Sequence, residues 1–440
     1  MRRELPFRRV SVLGLGRTGR AVVEALSSWG FRVFLSEVRP LRREEKGLLE
    51  RLGVQWEEGG HTTAALETDL LVPSPGVSPR NPILMEAHRR GIPVWSEVEL
   101  AFTLASPRRI AAITGTNGKT TTTALLGAIL SAAGERAVVA GNIGRPAIGT
   151  VGEVEGGIWV LEVSSYQLEH THSFHPHVAV WLNFAPDHLD HHGSLGAYFA
   201  AKAKVLRNQN QRDVALLPRE LLGKLSPRGR VFAIEDVKLP WPQAQHLPVH
   251  LVQDIRAAWG GARALVPGIT PPPWEVLEPA MRQPHRLEPV GNYRGVPFID
   301  DSKATNAHAT AAALRALEGR GTLILGGRHK GAGYEVLRDP LLEKVIHCVL
   351  IGESQEFFAR MLETWGIPFT LATNPLNALR AAYSPPGPGD WVLLSPACSS
   401  FDQFDDFSHR GRAFRKAFGQ LSRSQGQNFS SSGDGQEKNS

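Results

Sequence analysis

The chain has 440 residues, of which 42% are hydrophobic and 21% charged, the composition of an ordinary globular protein of about three domains. The formal net charge is +6, but arginines are spread along the chain, so the basic stripe typical of nucleic-acid binding is not indicated. No apolar run approaches the roughly 18 residues of a membrane span, and the N-terminus lacks the apolar core of a secretory signal. The two cysteines, Cys348 and Cys398, form no C-x-x-C pair, so they indicate neither a disulfide framework nor a zinc site. We therefore expect a cytoplasmic location.

Apolar runs alternate with helical patterns along three segments, which is typical of parallel α/β sheets. In the first segment, strands are expected at RRVSVLGLG, FRVFLSE, DLLVPSPGV and IPVWSE. The second has them at RRIAAITG, GIWVLEVSS and HVAVWLNF, and the third at GTLILGG, HCVLIGE and DWVLLSPA. The proline-rich stretch 267–279 is expected to connect the second and third segments, and the serine-rich tail 422–440 to be disordered.

The first segment opens on a glycine loop. Gly14, Gly16 and Gly19 have the G-x-G-x-x-G spacing directly after an expected strand, a pattern that suits a diphosphate at the N-terminus of the next helix. Glu37, at the end of the second strand, is placed to bind a ribose. An NAD-dependent oxidoreductase is therefore one open interpretation, and simple turn geometry is another.

The second segment contains a stronger phosphate-binding pattern, ITGTNGKTT, between a strand and a helix rich in alanine and leucine. Its expected ATP-binding residues are Gly115, Thr116, Asn117, Gly118, Lys119, Thr120 and Thr121. The Lys119 side chain is expected to reach the β- and γ-phosphates, and the Thr120 hydroxyl to bind Mg²⁺. The loop departs from the full Walker pattern, because Ile113 stands where its first glycine would be.

Candidate metal ligands follow the next strands. Glu162 ends an apolar strand, which directs its carboxylate toward the edge where parallel sheets bind ligands. The stretch NFAPDHLDHHG adds aspartates and histidines, the side chains that Mg²⁺ or Mn²⁺ sites use. Within it, His191 and His192 are expected to be solvated. The histidine-dense 170–177 is expected to be a surface connection rather than a zinc site, and helical spacing alone would make Lys202 a solvated side chain.

Together these motifs resemble the Mur ligases, the ATP-dependent amide-forming enzymes of peptidoglycan synthesis. TGTNGKTTT, GNIG, EVSSYQLE, NFAPDHLDHHGS and YFAAK occur in that family's order and approximate spacing. DDSKATN, LGGRHKG and LLSPACSSFDQFDDF in the third segment are similar to the branch that adds D-glutamate. The resemblance covers nearly the whole chain except the tail.

The resemblance implies an α/β fold of three domains. A Rossmann-like domain at 1–95 would bind the UDP substrate, and a central P-loop ATPase-like domain with a parallel sheet at 96–283 would bind ATP. A Rossmann-like domain at 284–421 would bind the amino acid, and 422–440 would be the tail.

The resemblance also implies roles for individual residues. The UDP substrate would contact Arg17, Thr18, Ser36 and Gly76. Catalysis would use Lys119, Asn142, His188, Lys202 and Lys303, and Asp301 would contact the ATP ribose. D-glutamate would contact Thr305, Lys330, Ser400 and Phe407. Metal ligands would be Thr120, Glu162, His188 and, when carbamylated, Lys202.

The implied activity is the ATP-dependent addition of D-glutamate to UDP-N-acetylmuramoyl-L-alanine through an acyl phosphate, with two Mg²⁺ ions (Mn²⁺ being the alternative). The implied enzyme is a cytoplasmic monomer of cell wall biogenesis, with no nucleic-acid partner and no membrane insertion. Three departures affect its contacts: Ser36 where the family often has aspartate, HLVQD at 250–254 in place of HNxxN, and the cationic pair Arg328 and His329.

Three other functions remain open on the sequence. One is a different Mur-type or folylpolyglutamate synthase-like ligase, although folylpolyglutamate synthases lack a leading UDP-binding domain. Another is the NAD-dependent oxidoreductase, which leaves the second phosphate loop unexplained. The third is a non-catalytic nucleotide-binding regulator, which would not need Lys303, Lys330 and Ser400.

Overall fold

The computed structural model describes residues 6–331, 333–383 and 385–423, which divide into two compact units. Of the described residues, the first unit comprises 6–184 and 191–281, and the second comprises 185–190 and those from 282 to 423. The first unit holds a four-stranded and a six-stranded sheet, and the second holds another six-stranded sheet. The expected α/β class is confirmed. The domain boundaries near residues 95 and 283 stay predictions, although the three sheets fall on either side of them.

The first sheet is fully parallel, with strand order β3-β2-β1-β4. Its strands are β1 (Arg9–Leu13), β2 (Arg32–Glu37), β3 (Gln55–Glu58) and β4 (Leu70–Pro73). The accompanying helices are α1 (Arg17–Ser28), α2 (Arg43–Arg51) and α3 (Pro82–Arg89). Helix α1 begins directly after the glycine loop, which places the helix N-terminus at the carboxyl end of β1.

The second sheet, also fully parallel, has the order β10-β9-β8-β5-β7-β6. Its strands are β5 (Arg109–Thr114), β6 (Ala137–Gly141), β7 (Ile158–Glu162), β8 (Val178–Trp181), β9 (Val214–Leu217) and β10 (Arg230–Ala233). The helices of this part of the chain are α4 (Glu97–Leu104), α5 (Lys119–Ala132), α6 (Ser165–Glu169), α7 (Leu189–His192), α8 (Leu195–Ala203), α9 (Val249–Leu265) and α10 (Glu278–Met281).

Both faces of this second sheet are covered. Along β5, Ile110 and Ala112 pack into one apolar cluster, while Ala111 and Ile113 pack into the other. Successive strand side chains point to opposite faces, so a strand that is covered on both sides must be apolar at every position. The continuous apolar run in RRIAAITG therefore indicates a central strand. The polar residues just beyond it lie at the carboxyl ends of the parallel strands.

In the second unit the strand order is β11-β12-β16-β13-β14-β15. Its strands are β11 (Glu288–Tyr293), β12 (Val296–Asp300), β13 (Gly321–Gly326), β14 (Val345–Ile351), β15 (Phe369–Leu371) and β16 (Val392–Leu394). Its helices are α11 (Ala307–Ala316), α12 (Arg338–Lys344), α13 (Gln355–Trp365), α14 (Pro375–Ala382) and α15 (Phe407–Arg423). Strand β11 pairs antiparallel with β12, and the other pairs are parallel.

Two expectations need correction. IPVWSE is not a strand of its own and contributes only an isolated bridge between Leu71 and Val94, because Ser96 already caps helix α4. The tail expected to begin at 422 starts later, since α15 continues to Arg423; the remaining tail, 424–440, lies outside the described residues. Among the described helices, none has the length and apolar character needed to cross a membrane.

Candidate active site

The loop between β5 and α5 owes its shape to two glycines. Gly115 and Gly118 have φ of +152° and +83°, and a Cβ on Gly118 would lie 2.2 Å from Oδ1 of Asp254 on α9. A larger residue at 118 would therefore be both strained and obstructed. Lys119 begins the 14-residue helix α5, and its Nζ donates to the carbonyls of Gly115 and Thr116, each at 2.9 Å. A helix N-terminus with a lysine folded over a glycine loop suits a polyphosphate.

Asn183, which the sequence did not indicate as a site residue, fixes this loop. Its Oδ1 accepts hydrogen bonds from the backbone N–H groups of Thr116 at 3.1 Å and Asn117 at 2.9 Å. Its Nδ2 donates to the carbonyl of Asn117 at 3.1 Å. One side chain just beyond β8 thus holds the loop after β5 through three hydrogen bonds. The only sequence signal was its place two residues after an apolar strand.

Glu162 occupies the carboxyl end of β7 and is only 2% exposed. Its Oε1 accepts a hydrogen bond from Nδ2 of Asn142 at 2.8 Å, so two predicted site residues do lie together. Its Oε2 is buried and makes no hydrogen bond within the part of the chain that the structure describes. A buried carboxylate oxygen left unpaired costs free energy. A divalent cation would satisfy it, so this residue fits the predicted Mg²⁺ site.

Lys202, on α8, is directed at the glycine loop between β5 and α5. It is 1% exposed, its Nζ donates to the carbonyl of Gly115 at 2.8 Å, and the Nζ lies 4.8 Å from the ring centroid of Tyr198. The Tyr198 hydroxyl is in turn 3.3 Å from Oγ1 of Thr116. The interpretation of Lys202 as a solvated side chain is therefore wrong. Tyr198 was not identified from the sequence, because aromatic residues at helical spacing usually indicate core packing.

Helix α9 carries the altered 250–254 element. Its His250 is exposed, and Leu251 packs against the apolar cluster beneath the helix. Oδ1 of Asp254 accepts a hydrogen bond from Oγ1 of Thr122, in the first turns of α5, at 3.2 Å. The element therefore supports the first turns of α5 through one carboxylate, and Leu251 offers no polar group to a base.

In the glycine loop after β1, helix α1 packs closely against the loop backbone. Gly14 has φ of +84°, and a Cβ on Gly19 would lie 1.9 Å from the carbonyl oxygen of Gly14. The Ser74 hydroxyl donates to that same carbonyl at 2.8 Å. Glu37, considered above as a ribose ligand, is 6% exposed, and its Oε2 accepts from the backbone N–H of Leu15 at 2.6 Å. Glu37 thus serves as an anchor of the loop itself.

The four residues expected to bind the UDP substrate differ in accessibility. Arg17 and Gly76 are exposed and Thr18 is half-buried, so all three are open to a ligand. Ser36 is fully buried; its hydroxyl donates to Glu57 at 2.5 Å and lies 2.6 Å from Nδ1 of His61. That burial argues against a contact between the Ser36 hydroxyl and uracil, because the hydroxyl is already used inside the fold.

In the second unit, Asp301 is buried at the end of β12. Its carboxylate accepts from the Ser395 hydroxyl at 2.7 Å. Burial raises the pKa of Asp301 to about 6, although the charge of Arg286 and the hydrogen bond from Ser395 act in the opposite direction. Lys303 lies two residues further on, with its Nζ 5.7 Å from the ring centroid of Phe407. The unit thus brings Lys303, a predicted catalytic residue, close to Phe407, a predicted amino-acid-binding residue.

Lys330 forms a polar cluster with Asp187, a residue of the 185–190 segment that belongs to this unit. Its Nζ lies 2.9 Å from Oδ1 of Asp187, and Nδ2 of Asn306 donates to the other oxygen at 3.0 Å. Burial alone would raise the pKa of Asp187, but the charges of Lys330 and His188 outweigh burial and lower it. His188 has φ of +55°, a backbone conformation that is uncommon for a non-glycine residue and is often found at functional sites.

Arg410 holds the loops of the second unit in place and was not identified from the sequence. It is 2% exposed, and its guanidinium donates to the hydroxyl and carbonyl of Ser302, each at 2.9 Å, and to the carbonyl of Cys398 at 3.0 Å. Burial lowers the pKa of Arg410 to about 10. The predicted ligands Thr305 and Ser400 follow these two anchored residues by two or three positions, and they are half-buried and buried respectively.

The cationic pair before Lys330 is engaged on the surface. Arg328 forms an ion pair with Glu353 at 3.1 Å, and the ring of His329 stacks on Phe357 with centroids 5.0 Å apart. Both residues therefore have contacts that do not depend on a substrate.

Family comparisons agree with this geometry. A MurD N-terminal domain family matches residues 9–83, a Mur ligase middle domain family matches 113–224, and a Mur ligase glutamate ligase domain family matches 285–398. The chain is 37% identical over 448 residues to the UDP-N-acetylmuramoylalanine–D-glutamate ligase of Koribacter versatilis, covering 93% of this chain and 96% of that protein. The chain belongs to the Mur ligase family. The resemblance stated from its motifs is thereby confirmed, and the chain is an ATP-dependent ligase.

Further Mur ligases show the same relationship. The enzyme of that name from Chlorobaculum tepidum is 36% identical, covering 95% of this chain and 99% of that protein. Among solved structures, the UDP-N-acetylmuramate-alanine ligase MurC of Thermotoga maritima has a TM-score of 0.58 at 19% identity, covering 94% of this chain and 99% of that one. MurF of Thermotoga maritima, solved in complex with ADP, has a TM-score of 0.56 at 16% identity, with coverage of 89% and 96%. At these identities the structures establish the Mur ligase fold.

Proposed function

We propose that this chain adds D-glutamate to UDP-N-acetylmuramoyl-L-alanine in peptidoglycan precursor synthesis. The observation that carries the proposal is the glycine loop with Lys119 folded over it, beside a buried Glu162 on the same sheet edge. Relatives 35–37% identical over nearly the whole chain bear the name UDP-N-acetylmuramoylalanine–D-glutamate ligase. That name supports the choice of substrates.

The chemistry requires activation of an acid. A carboxylate is a poor electrophile because its oxygen is a poor leaving group, and phosphorylation removes this obstacle. The γ-phosphoryl group of ATP moves to the carboxylate of the alanyl group, which gives ADP and an acyl phosphate. The amine of D-glutamate then attacks the acyl carbon, and the C–O bond to phosphate breaks as the amide forms. The amine loses its proton in this second step.

The loop residues from Gly115 to Thr121 would hold the ATP phosphates. Lys119 now donates to two backbone carbonyls, so a polyphosphate would replace those carbonyls as its partner. Its charge would then oppose the negative charge that gathers on the transferred oxygens. Asp301 would contact the ribose, Lys303 would stabilise the phosphoryl group, and Asn142, which hydrogen-bonds Glu162, would contact the reacting substrate.

Magnesium fits the residues that are present. Glu162 offers a buried oxygen without a hydrogen-bond partner among the described residues, and Thr120 offers a half-buried hydroxyl. A carbamate on Lys202 would turn a buried cation into an anionic ligand, and His188 would complete the second site. Bound Mg²⁺ would neutralise charge on the phosphate oxygens.

The remaining roles concern the two other substrates. The proposed D-glutamate ligands are Thr305, Lys330, Ser400 and Phe407, which offer hydroxyls, one cation and an apolar wall. For the amino-acid carboxylate, Lys330 would exchange its ion pair with Asp187 for one with the substrate. Arg17, Thr18 and Gly76 would bind the UDP substrate. We further propose that the enzyme works as a monomer in the cytoplasm.

An assay of amino-acid-dependent phosphate release tests this function. The purified chain receives UDP-N-acetylmuramoyl-L-alanine, ATP and Mg²⁺ with D-glutamate, L-glutamate, L-alanine or L-lysine in parallel. We expect release with D-glutamate alone, and transfer of ¹⁸O from the labelled acid to phosphate. Lys119→Ala should abolish turnover and retain the fold, whereas the exposed Lys224→Ala serves as the matched control. Release with another amino acid, or phosphate free of the label, would overturn the proposal.

A further inference from the structure

A second cluster of metal-binding side chains lies in the first unit and has no part in the chemistry above. Glu169, at the end of α6, faces His191 and His192, and their ligand atoms all lie within 4.8 Å of one another. Oε2 of Glu169 is 2.9 Å from Nε2 of His191, and Oε1 is 3.5 Å from Nδ1 of His192. One carboxylate and two imidazoles therefore lie close enough together to share one ion.

Both histidines are half-buried as residues and their side chains are buried, which corrects the expectation that they are solvated. The side chain of His191 is 8% exposed and that of His192 is 1% exposed. The ring of Tyr166 packs against the ring of His191 at an angle of 53°, with centroids 4.1 Å apart. The sequence could not reveal this burial, because consecutive histidines on a four-residue helix give no periodic pattern.

The buried nitrogen of His192 is the atom that points to a ligand. Its Nε2 lies 2.9 Å from the Ser165 hydroxyl, which gives that side of the ring a partner. Its Nδ1 faces the Glu169 carboxylate and makes no hydrogen bond to any residue that the structure describes. A buried polar atom without a partner is costly, and here it is aimed at an acidic oxygen. A cation between the two atoms would satisfy both.

The spacing suits zinc chemistry. Zinc binds imidazole nitrogen and carboxylate oxygen at about 2.0–2.2 Å, so neighbouring ligand atoms of a tetrahedron lie about 3.4 Å apart. The 3.5 Å between Nδ1 of His192 and Oε1 of Glu169 matches that edge, whereas the 2.9 Å between Nε2 of His191 and Oε2 of Glu169 is a hydrogen-bond distance. Two imidazoles and one carboxylate form a known zinc ligand set. Ser165 would act as the outer partner that orients a ligating histidine.

We infer that Glu169, His191 and His192 form a binding site for a zinc-class dication, distinct from the proposed magnesium ligands Glu162 and Thr120. Three protein ligands leave a fourth position for water. Glu169, His191 and Tyr166 also line a crevice that Ser74 and Ser96 border. The inference does not depend on the identity of the substrates.

Titration with Co²⁺ tests the site, because four-coordinate Co²⁺ with nitrogen ligands gives intense visible bands and six-coordinate Co²⁺ in oxygen sites gives weak ones. The full-length protein is titrated in excess Mg²⁺, which occupies sites that prefer oxygen ligands. We expect intense bands at one equivalent, and their loss when Zn²⁺ is added. Glu169→Gln, which keeps the side-chain shape, should remove the bands. Ser165→Ala should weaken Co²⁺ affinity about 10- to 100-fold.

Controls separate this site from other histidines and from misfolding. His246→Asn replaces an exposed histidine elsewhere in the unit and should leave the bands unchanged. Circular dichroism melts of each variant verify that it is folded, and His191→Asn provides a second ligand deletion beside Glu169→Gln. Weak bands in the wild type would overturn the inference. Intense bands that persist in both folded ligand variants would overturn it as well.

Discussion

Replacing Asn183 with alanine tests whether the phosphate loop is held in shape from β8. The side chain makes three hydrogen bonds to the loop, at 3.1, 2.9 and 3.1 Å. The Thr116 N–H also donates to the backbone carbonyl of Asn183 at 3.2 Å, an acceptor that the substitution leaves in place. The other two bonds are worth about 1 kcal/mol each, so the substitution removes about 2 kcal/mol of loop ordering. If ATP binding must supply that ordering, the affinity for ATP falls by about 30-fold.

The measurement is the dissociation constant of ATP by calorimetry, together with the KM for ATP and for D-glutamate. We expect Asn183→Ala to raise both ATP constants about 30-fold and to leave the D-glutamate KM within a few-fold of wild type. Asn183→Asp retains the acceptor for the N–H groups of Thr116 and Asn117 but loses the donor to the Asn117 carbonyl. Its ATP affinity should therefore be below that of the wild type, because the new carboxylate also repels the carbonyl of Asn117. Asn208→Ala is the matched control, because its amide contacts the carbonyls of residues 172 and 174 instead of the loop.

The result that refutes this reasoning is an unchanged ATP affinity in a folded Asn183→Ala protein. A fall in the melting temperature without a change in ATP affinity would have the same meaning, since the bonds would then stabilise the unit and not prepare the loop. A fall of equal size in Asn208→Ala would show that loss of any buried or half-buried amide has this effect.

Three more predictions concern single residues. Burial raises the pKa of Glu97 from 4.5 to about 7. Its contribution to stability is therefore full below pH 4.5 and is lost as the pH rises through 7, which lowers the free energy of unfolding by about 3 kcal/mol. Urea denaturation at pH 4.5 and pH 8 should show that Glu97→Gln lacks this loss, and an equal loss in wild type and variant would contradict the prediction. Gly118→Ala should reduce kcat/KM for ATP at least about tenfold more than Gly134→Ala, because both have positive φ but only Gly118 has Asp254 where the Cβ would stand. Arg410→Met should lower the free energy of unfolding by about 3 kcal/mol, because it leaves buried carbonyls unpaired, and an unchanged urea midpoint would contradict the anchoring role.

The sequence predicts central strands well and edge strands poorly, for a physical reason. β5, β7 and β8 are covered on both faces and therefore read as unbroken apolar runs. The strands that the pattern does not reveal are five of the six edge strands, β3, β6, β10, β11 and β15, and two interior strands, β9 and β12. An edge strand such as Gln55–Glu58 is partly exposed and keeps polar residues, so no apolar run marks it.

The same distinction applies to the site. Glu162 could be predicted because it follows an apolar strand, and strand ends meet at one sheet edge. Asn183 and Arg410 could not be assigned roles, because their partners Asn117 and Ser302 lie 66 and 108 residues away in the sequence. Periodicity tells which face a residue occupies, but it does not tell which distant backbone group that face meets.

Two buried atoms lead to a final point about metal choice. Oε2 of Glu162 and Nδ1 of His192 both lack a hydrogen-bond partner among the described residues, and each such atom costs about 1–3 kcal/mol unless a ligand satisfies it. The proposed ligands beside Glu162 include the Thr120 hydroxyl and, when formed, the carbamate of Lys202, and these oxygen donors favour a hard ion such as Mg²⁺. Around His192 the proposed ligands are two imidazoles and one carboxylate, which favour a zinc-class ion. Because Mg²⁺ binds imidazole weakly, excess Mg²⁺ should leave the Co²⁺ spectrum of the second site intact, and a spectrum that Mg²⁺ abolishes would show that the two sites are not chemically distinct.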